Sequence, residues 1–338
     1  MTSFATVSAF EAALADLRAA NADAADAARA RQQQLTKPLG SLGRLEEIAI
    51  FFAGWQGRER PAIDRARTVI FAGNHGVTVH GVSAYPASVT AQMVANFQAG
   101  GAAINALSTV AGLELRVVPL DLDRPTADFT TAPAMTVEEC LRALNAGAAA
   151  VEEGLDLLVL GEMGIGNSTA AAALCARSYA TEAAYWVGPG TGVDSEGIGR
   201  KTQVIDRTLA WHGDAPCSAF ETLRRVGGRE IAAIAGAILR ARQLAIPVLL
   251  DGFICCSAIA PLAADNPAIT GHCLAGHCSA EPGHARLLDR LQLAPLLSLD
   301  MRLGEGSGAA VAANIVRVAL AAHNQMATFA EAAVSGSL

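Results

Sequence analysis

A mostly parallel α/β sheet with helices on both faces is the fold this sequence predicts, and three observations predict it. Short runs rich in Val, Ile and Leu recur along the 338 residues, and each ends in a Gly-rich polar loop followed by a helical pattern. The runs are apolar throughout rather than alternating, as strands covered on both faces require, and their alternation with helices marks parallel βαβ units. Aromatic residues are only 5% while 32 glycines are present, a composition suited to close-packed helices on a sheet rather than an all-β sandwich.

Residues 8–34 are Ala-rich and read as one helix, with Phe10, Leu14 and Leu17 at helical spacing. A turn at Lys37-Pro38-Leu39-Gly40 follows. Ser41 is then expected to cap a second helix running to about Trp55, with Arg44 and Glu47 three apart on its exposed side. Strand runs begin at Ala66, Glu114, Leu155, Pro247, Ile269 and Pro295, and a long apolar helix spans about Gly306 to Met326. The N-terminal helices have no strand partner. Joined by the last helix, they are expected to form a small helical domain (1–60 with 306–338) beside a large one (61–305).

Charge narrows the function. The formal net charge is −7 and the 25 Lys and Arg are scattered, so no basic stripe offers itself to nucleic acid. A ligand phosphate has to be held locally, by backbone amides and one cation. The apolar stretch 231–250 is broken by Arg240, Arg242 and Gln243, which argues against a membrane span. The first twenty residues lack a basic region followed by an apolar core and do not read as a signal peptide. Seven cysteines, several inside apolar runs, read as reduced core residues of a cytoplasmic protein.

In such a sheet ligands bind at the carboxyl ends of the strands, and the polar loops fall there. GEMGIGNST, from Gly161, offers Gly164 and Gly166 as free backbone before a helix N-terminus able to hold an anion, with Glu162 exposed beside them. The plainer reading is a tight turn with an N-cap; the glycine density favours a ligand loop. GPGTGVDSEGIGRK, from Gly188, supplies Gly190 and a single Lys201, a phosphate partner or a solvated helix residue. Glu305, between two glycines where a strand gives way to a helix, reads as a helix cap and as a candidate general base, and both readings can hold at once. FAGNHGVTVHGVSAYPASVTAQM, from Phe71, places Asn74, His75, Ser83, Tyr85 and Gln92 among small residues, a loop able to grip a flat heteroaromatic ring, although His75 or Ser83 taken alone reads as an ordinary loop residue. His272, Cys273, His277, Cys278 and His284 crowd together, but their spacing is not that of a zinc site, and Cys255 and Cys256 read as core. Neither a dinucleotide fingerprint nor a Walker A motif occurs.

Taken together, KPLGSLGRLEEIA, GNHGV, GVSAYP, VTAQM, GEMGIGNST, GPGTGV, LLDGF, SAEPGH and LSLDMRLGEGSGAA resemble, in order and over nearly the whole chain, the nicotinate-nucleotide–dimethylbenzimidazole phosphoribosyltransferase family. The resemblance implies transfer of phosphoribose from nicotinate mononucleotide to 5,6-dimethylbenzimidazole in cobalamin nucleotide-loop assembly, giving α-ribazole 5′-phosphate and nicotinate. It implies Glu305 as base and Ser83, Gln92 and Leu303 at the benzimidazole. It implies Glu162, Gly164, Gly166, Gly190, Lys201, Asp251, Phe253 and Ser279 at the mononucleotide. It also implies a Rossmann-like large domain, a homodimer and no metal or other cofactor. Asn74 departs from the family's usual aspartate, and Ser168 stands where threonine is commoner.

The chemistry suits these residues. The leaving nicotinate departs from a pyridinium, so the glycosidic bond is already activated, and the donor is a monophosphate, so no acidic metal-binding pair is needed. Two other readings compete: an oxidoreductase, suggested by the glycine loops, which NAD titration tests, and a non-catalytic nucleotide or corrinoid-precursor binder, which releases no nicotinate.

Overall fold

The computed structural model describes residues 4–335. The outermost residues of the expected helical domain, 1–3 and 336–338, lie outside that span. The six strands are β1 (Ala66–Ala72), β2 (Glu114–Pro119), β3 (Leu157–Met163), β4 (Val248–Leu250), β5 (Cys273–His277) and β6 (Pro295–Leu297). They form one sheet in the order β2-β1-β3-β4-β5-β6, every neighbouring pair parallel. The order reverses between β1 and β3, and the crevice above that point is where a doubly wound sheet takes its ligand.

Both faces of the central strands β1, β3, β4 and β5 are buried, while the edge strands β2 and β6 are partly exposed, and successive residues of the central strands go to opposite cores. Val69, Phe71, Leu158, Leu160, Val248 and Leu250 join one core; Ile70, Leu157, Val159 and Leu249 join the other. This is why the strands read as unbroken apolar runs. The helices, in chain order, are α1 (Val7–Ala15), α2 (Ala22–Gln34), α3 (Arg44–Gln56), α4 (Ser88–Ala99), α5 (Ala103–Ala111), α6 (Val137–Ala150), α7 (Asn167–Ser178), α8 (Ser195–Trp211), α9 (Ala219–Val226), α10 (Arg229–Leu244), α11 (Phe253–Asp265), α12 (Pro282–Leu291) and α13 (Ser307–Gln325). Residues of α3, α5 and α13 fill the second core, and α6, α7, α9, α10 and α11 the first. Packing of α6 on α10 is unusually close because a Cβ at Gly147 would overlap the Ala233 carbonyl, and one at Gly236 that of Leu144.

The N-terminal region differs from its expected form in two ways. The single helix over 8–34 is two, because Asn21 starts α2 by accepting the Ala24 amide at 2.9 Å. Ser41 is not a cap: Gly43, at φ +52°, precedes α3, and Glu46 accepts the Leu42 amide at 3.0 Å and pairs with Lys37 at 2.7 Å. The surface pair Arg44–Glu47 forms at 2.9 Å. α13 spans two environments. Its start lies against the sheet, while Arg31 of α2 donates to the carbonyls of His323 and Met326 near its end.

Candidate active site

The loops after β1, β3, β4, β5 and β6 converge on a cavity of about 290 Å³. Of the residues the sequence proposed, Glu162, Gly164, Gly190, Phe253, Ser279 and Leu303 line it. Asn167, Ser168, Thr191, His277, Glu281, Arg302 and Tyr85 join them. The GVSAYP and GPGTG loops, far apart in sequence, meet at the mouth, where Ser83 Oγ lies 3.3 Å from Thr191 Oγ1. Gln92 is exposed on α4 and outside the lining.

Several proposed residues stand behind the wall instead. Gly166 enters α7 at φ +94°, where a Cβ would come within 2.7 Å of Thr78 Cγ2. Lys201 is buried, its Nζ donating to Ser168 Oγ at 2.9 Å and to the Gly188 carbonyl at 3.1 Å, and burial lowers its pKa to about 8. It thus ties the first turn of α7, whose Ser168 lines the cavity, to the loop that begins at Gly188. Asp251, at the end of β4, accepts the amides of Gly306 (3.1 Å) and Ala309 (3.0 Å), capping α13 from a neighbouring strand.

Glu305 is also outside the cavity lining; Gly304, immediately before it, is inside. Gly304, Glu305 and Gly306 all take the left-handed conformation, at φ +81°, +62° and +82°. For Glu305 this costs about 1–2 kcal/mol, which the Asp251 cap on the next residue helps to offset. The backbone fits because Gly161 opposite has no side chain: a Cβ there would sit 2.7 Å from the Glu305 carbonyl carbon. The Glu305 carboxyl is buried, and Oε2 has no hydrogen-bond partner among the described residues. Burial, then the Asp251 charge, lifts its pKa to about 7, against the opposing pull of the Ile104 amide at the start of α5.

Glu162 forms the cavity floor beneath Gly304. Burial raises its pKa to about 8, with Glu230 and Asp251 adding repulsion; the hydrogen bond from Asn167 opposes them. Below it lies a pair no local motif foretold: His75 Nε2 is 2.5 Å from Glu230 Oε1, both fully buried. Gly73, Gly164 and Gly228 crowd Glu230 so tightly that a Cβ at any of them would press on its carboxylate. Asn74 is outside the cavity lining and donates to the Leu122 carbonyl at 2.9 Å, a bond an ionised aspartate cannot make.

The histidine–cysteine cluster is spread through separate environments. His272 packs edge-on to Trp55 and bonds the Ile238 carbonyl. His284 Nδ1 accepts the Ser279 amide and lies 2.9 Å from its hydroxyl, while Nε2 faces Cys256 Sγ. Among the described residues no three His, Cys, Asp or Glu side chains are grouped to hold a metal ion.

A composite cavity at the carboxyl edge of a parallel sheet, framed by glycine loops and floored by buried acids, is the site of an α/β enzyme. A family model described as phosphoribosyltransferase matches residues 17–334. The chain is 70% identical over 338 residues, 100% of both chains, to a protein of Novosphingobium aromaticivorans named nicotinate-nucleotide–dimethylbenzimidazole phosphoribosyltransferase. A Ruegeria protein of the same name is 57% identical over 330 residues, 98% of each chain. The crystal structure of CobT from Thermus thermophilus matches with a TM-score of 0.88 at 42% identity, covering 93% of this chain and 100% of that one. The chain therefore belongs to the nicotinate-nucleotide–dimethylbenzimidazole phosphoribosyltransferase family.

Proposed function

We propose that this enzyme moves the 5-phosphoribosyl group from nicotinate mononucleotide to 5,6-dimethylbenzimidazole, with Glu305 as general base. One benzimidazole nitrogen attacks the anomeric carbon opposite the nicotinate. The C–N bond to the pyridinium breaks, and its electron pair leaves with nicotinate. The attacking ring becomes cationic, and Glu305 takes the proton from its second nitrogen. Attack from the opposite face inverts the β-nucleotide to the α-product. Holding the two flat rings either side of one carbon supplies much of the remaining rate gain.

The observation that carries this reading is the place and state of Glu305: it directly follows Gly304 of the cavity wall and is a buried carboxyl with one oxygen lacking a partner among the described residues and a pKa of about 7, matched to proton transfer near neutrality. Glu162 supports it. A carboxyl with a pKa of about 8 is mostly protonated at neutral pH and does not repel an anionic mononucleotide. Lys201, through Ser168 and the Gly188 loop, shapes the wall in which the mononucleotide phosphate is expected to sit. By the same family likeness the enzyme is expected to act as a cytoplasmic homodimer; no described helix is long and apolar enough to cross a membrane.

The test is product analysis. Purified protein incubated with both substrates and EDTA should yield nicotinate and α-ribazole 5′-phosphate in equal amounts, read by the anomeric proton resonance. No release of nicotinate, or release without consumption of the base, contradicts the proposal.

A further inference from the structure

Arg302 is the one Lys or Arg among the described residues that line the cavity. The other ionisable side chains of that lining are Tyr85, Glu162, His277 and Glu281, none of them a fixed cation. Arg302 is exposed, and no carboxylate among the described residues lies within ion-pair distance of it. Glu281 tells which part of the wall it stands beside. That carboxyl is fastened to the glycine loop: Oε1 accepts the Gly190 amide at 2.8 Å, and a Cβ at Gly188 would overlap Oε2. Burial raises the Glu281 pKa, against the pull of Lys201, of the Gly190 amide and of Arg302. Arg302 is thus near enough for its charge to act on a group bonded to Gly190. Ser168 packs against Gly190 on the same wall, with Lys201 behind both.

We propose that Arg302 clamps the phosphate of the donor mononucleotide against the Gly190 loop and so selects the 5′-phosphorylated donor over its riboside. A guanidinium stays charged at neutral pH, and its planar fork gives a phosphate two parallel hydrogen bonds. Backbone and Ser168 meet the phosphate from one side and Arg302 from the other, while Lys201 acts through Ser168 and the Gly188 carbonyl. A long side chain on the exposed rim can swing over a bound ligand; a buried lysine cannot. The inference rests on nicotinate mononucleotide being the donor.

Calorimetric titration without benzimidazole tests it, in low-salt buffer, with wild type, Arg302→Gln and Arg302→Lys. The probes are nicotinate mononucleotide, nicotinamide mononucleotide, which lacks the carboxylate, and nicotinate riboside, which lacks the phosphate. Arg302→Gln should bind both mononucleotides about tenfold or more weakly than wild type, and the riboside within about twofold of it. Arg302→Lys should recover part of the loss, since it restores the charge but not the fork. Arg302→Gln that binds nicotinate mononucleotide as tightly as wild type overturns the proposal. So does a loss as large for the riboside as for the mononucleotides, or a loss confined to the two probes that carry the carboxylate. Turnover of wild type with benzimidazole is measured in parallel. The phosphate pattern without nicotinate release keeps the arginine contact and rejects the transferase reading; turnover without that pattern does the reverse; wild type that binds no mononucleotide rejects both.

Discussion

Glu162 makes stability depend on pH in a direction opposite to that of most carboxylates. Its pKa is raised from 4.5 to about 8 by burial, by Glu230 and by Asp251. Between those limits the folded protein holds a proton that the unfolded chain has lost. Stability therefore falls as pH rises through this window, by about 1.4 kcal/mol per pH unit for one such group. Over the roughly three units from pH 5 to pH 8 this amounts to about 4 kcal/mol, a large share of a typical folding free energy. Glu305, raised to about 7, adds to the same fall below neutrality. Glu162→Gln mimics the protonated acid in shape and cannot ionise. It should leave stability at pH 5 nearly unchanged and raise it at pH 8 by several kcal/mol. Urea denaturation of both proteins at the two pH values measures this. An identical pH slope in wild type and variant refutes the reasoning.

Asp251→Asn removes a charge that raises the Glu305 pKa, so the acid limb of kcat should move to lower pH; a limb that stays in place or rises contradicts this. Gly147→Ala drives a methyl into the Ala233 carbonyl and should destabilise by about 1–3 kcal/mol or more, seen as a lower urea midpoint. Lys201→Ala frees the first turn of α7 from the Gly188 loop and should raise KM for the mononucleotide more than for the base, by about tenfold; equal effects on both separate the lysine from the phosphate.

The central strands were legible because burial on both faces leaves them mostly apolar along their length. Residues 8–34 read as one helix because alanine suits either face of a helix. That left Asn21, a break signal, looking like one more helical residue. The cavity loops were legible as motifs, but the assignment of side chains within them was not. Asp251, at the end of β4, and Lys201, on α8, belong to motifs that border the cavity, yet both spend their polar atoms on neighbouring backbone or on Ser168. Whether a carboxylate faces a cavity or caps a helix from the next strand depends on sheet order, which no local pattern encodes. Glu230 gave no signal at all, since its partner His75 is 155 residues away. Arg302 and Glu281 lay inside quoted motifs; Arg302 was knowable only once the rim of the cavity placed it beside Leu303.

The central claim is that Glu305 accepts the proton of the attacking base. Steady-state kinetics of Glu305→Gln tests it most directly. The variant should bind both substrates within a few-fold of wild type and lose about 10²–10⁴ in kcat, together with the pH limb near 7. Near-normal kcat, or a surviving limb at that pH, would contradict it.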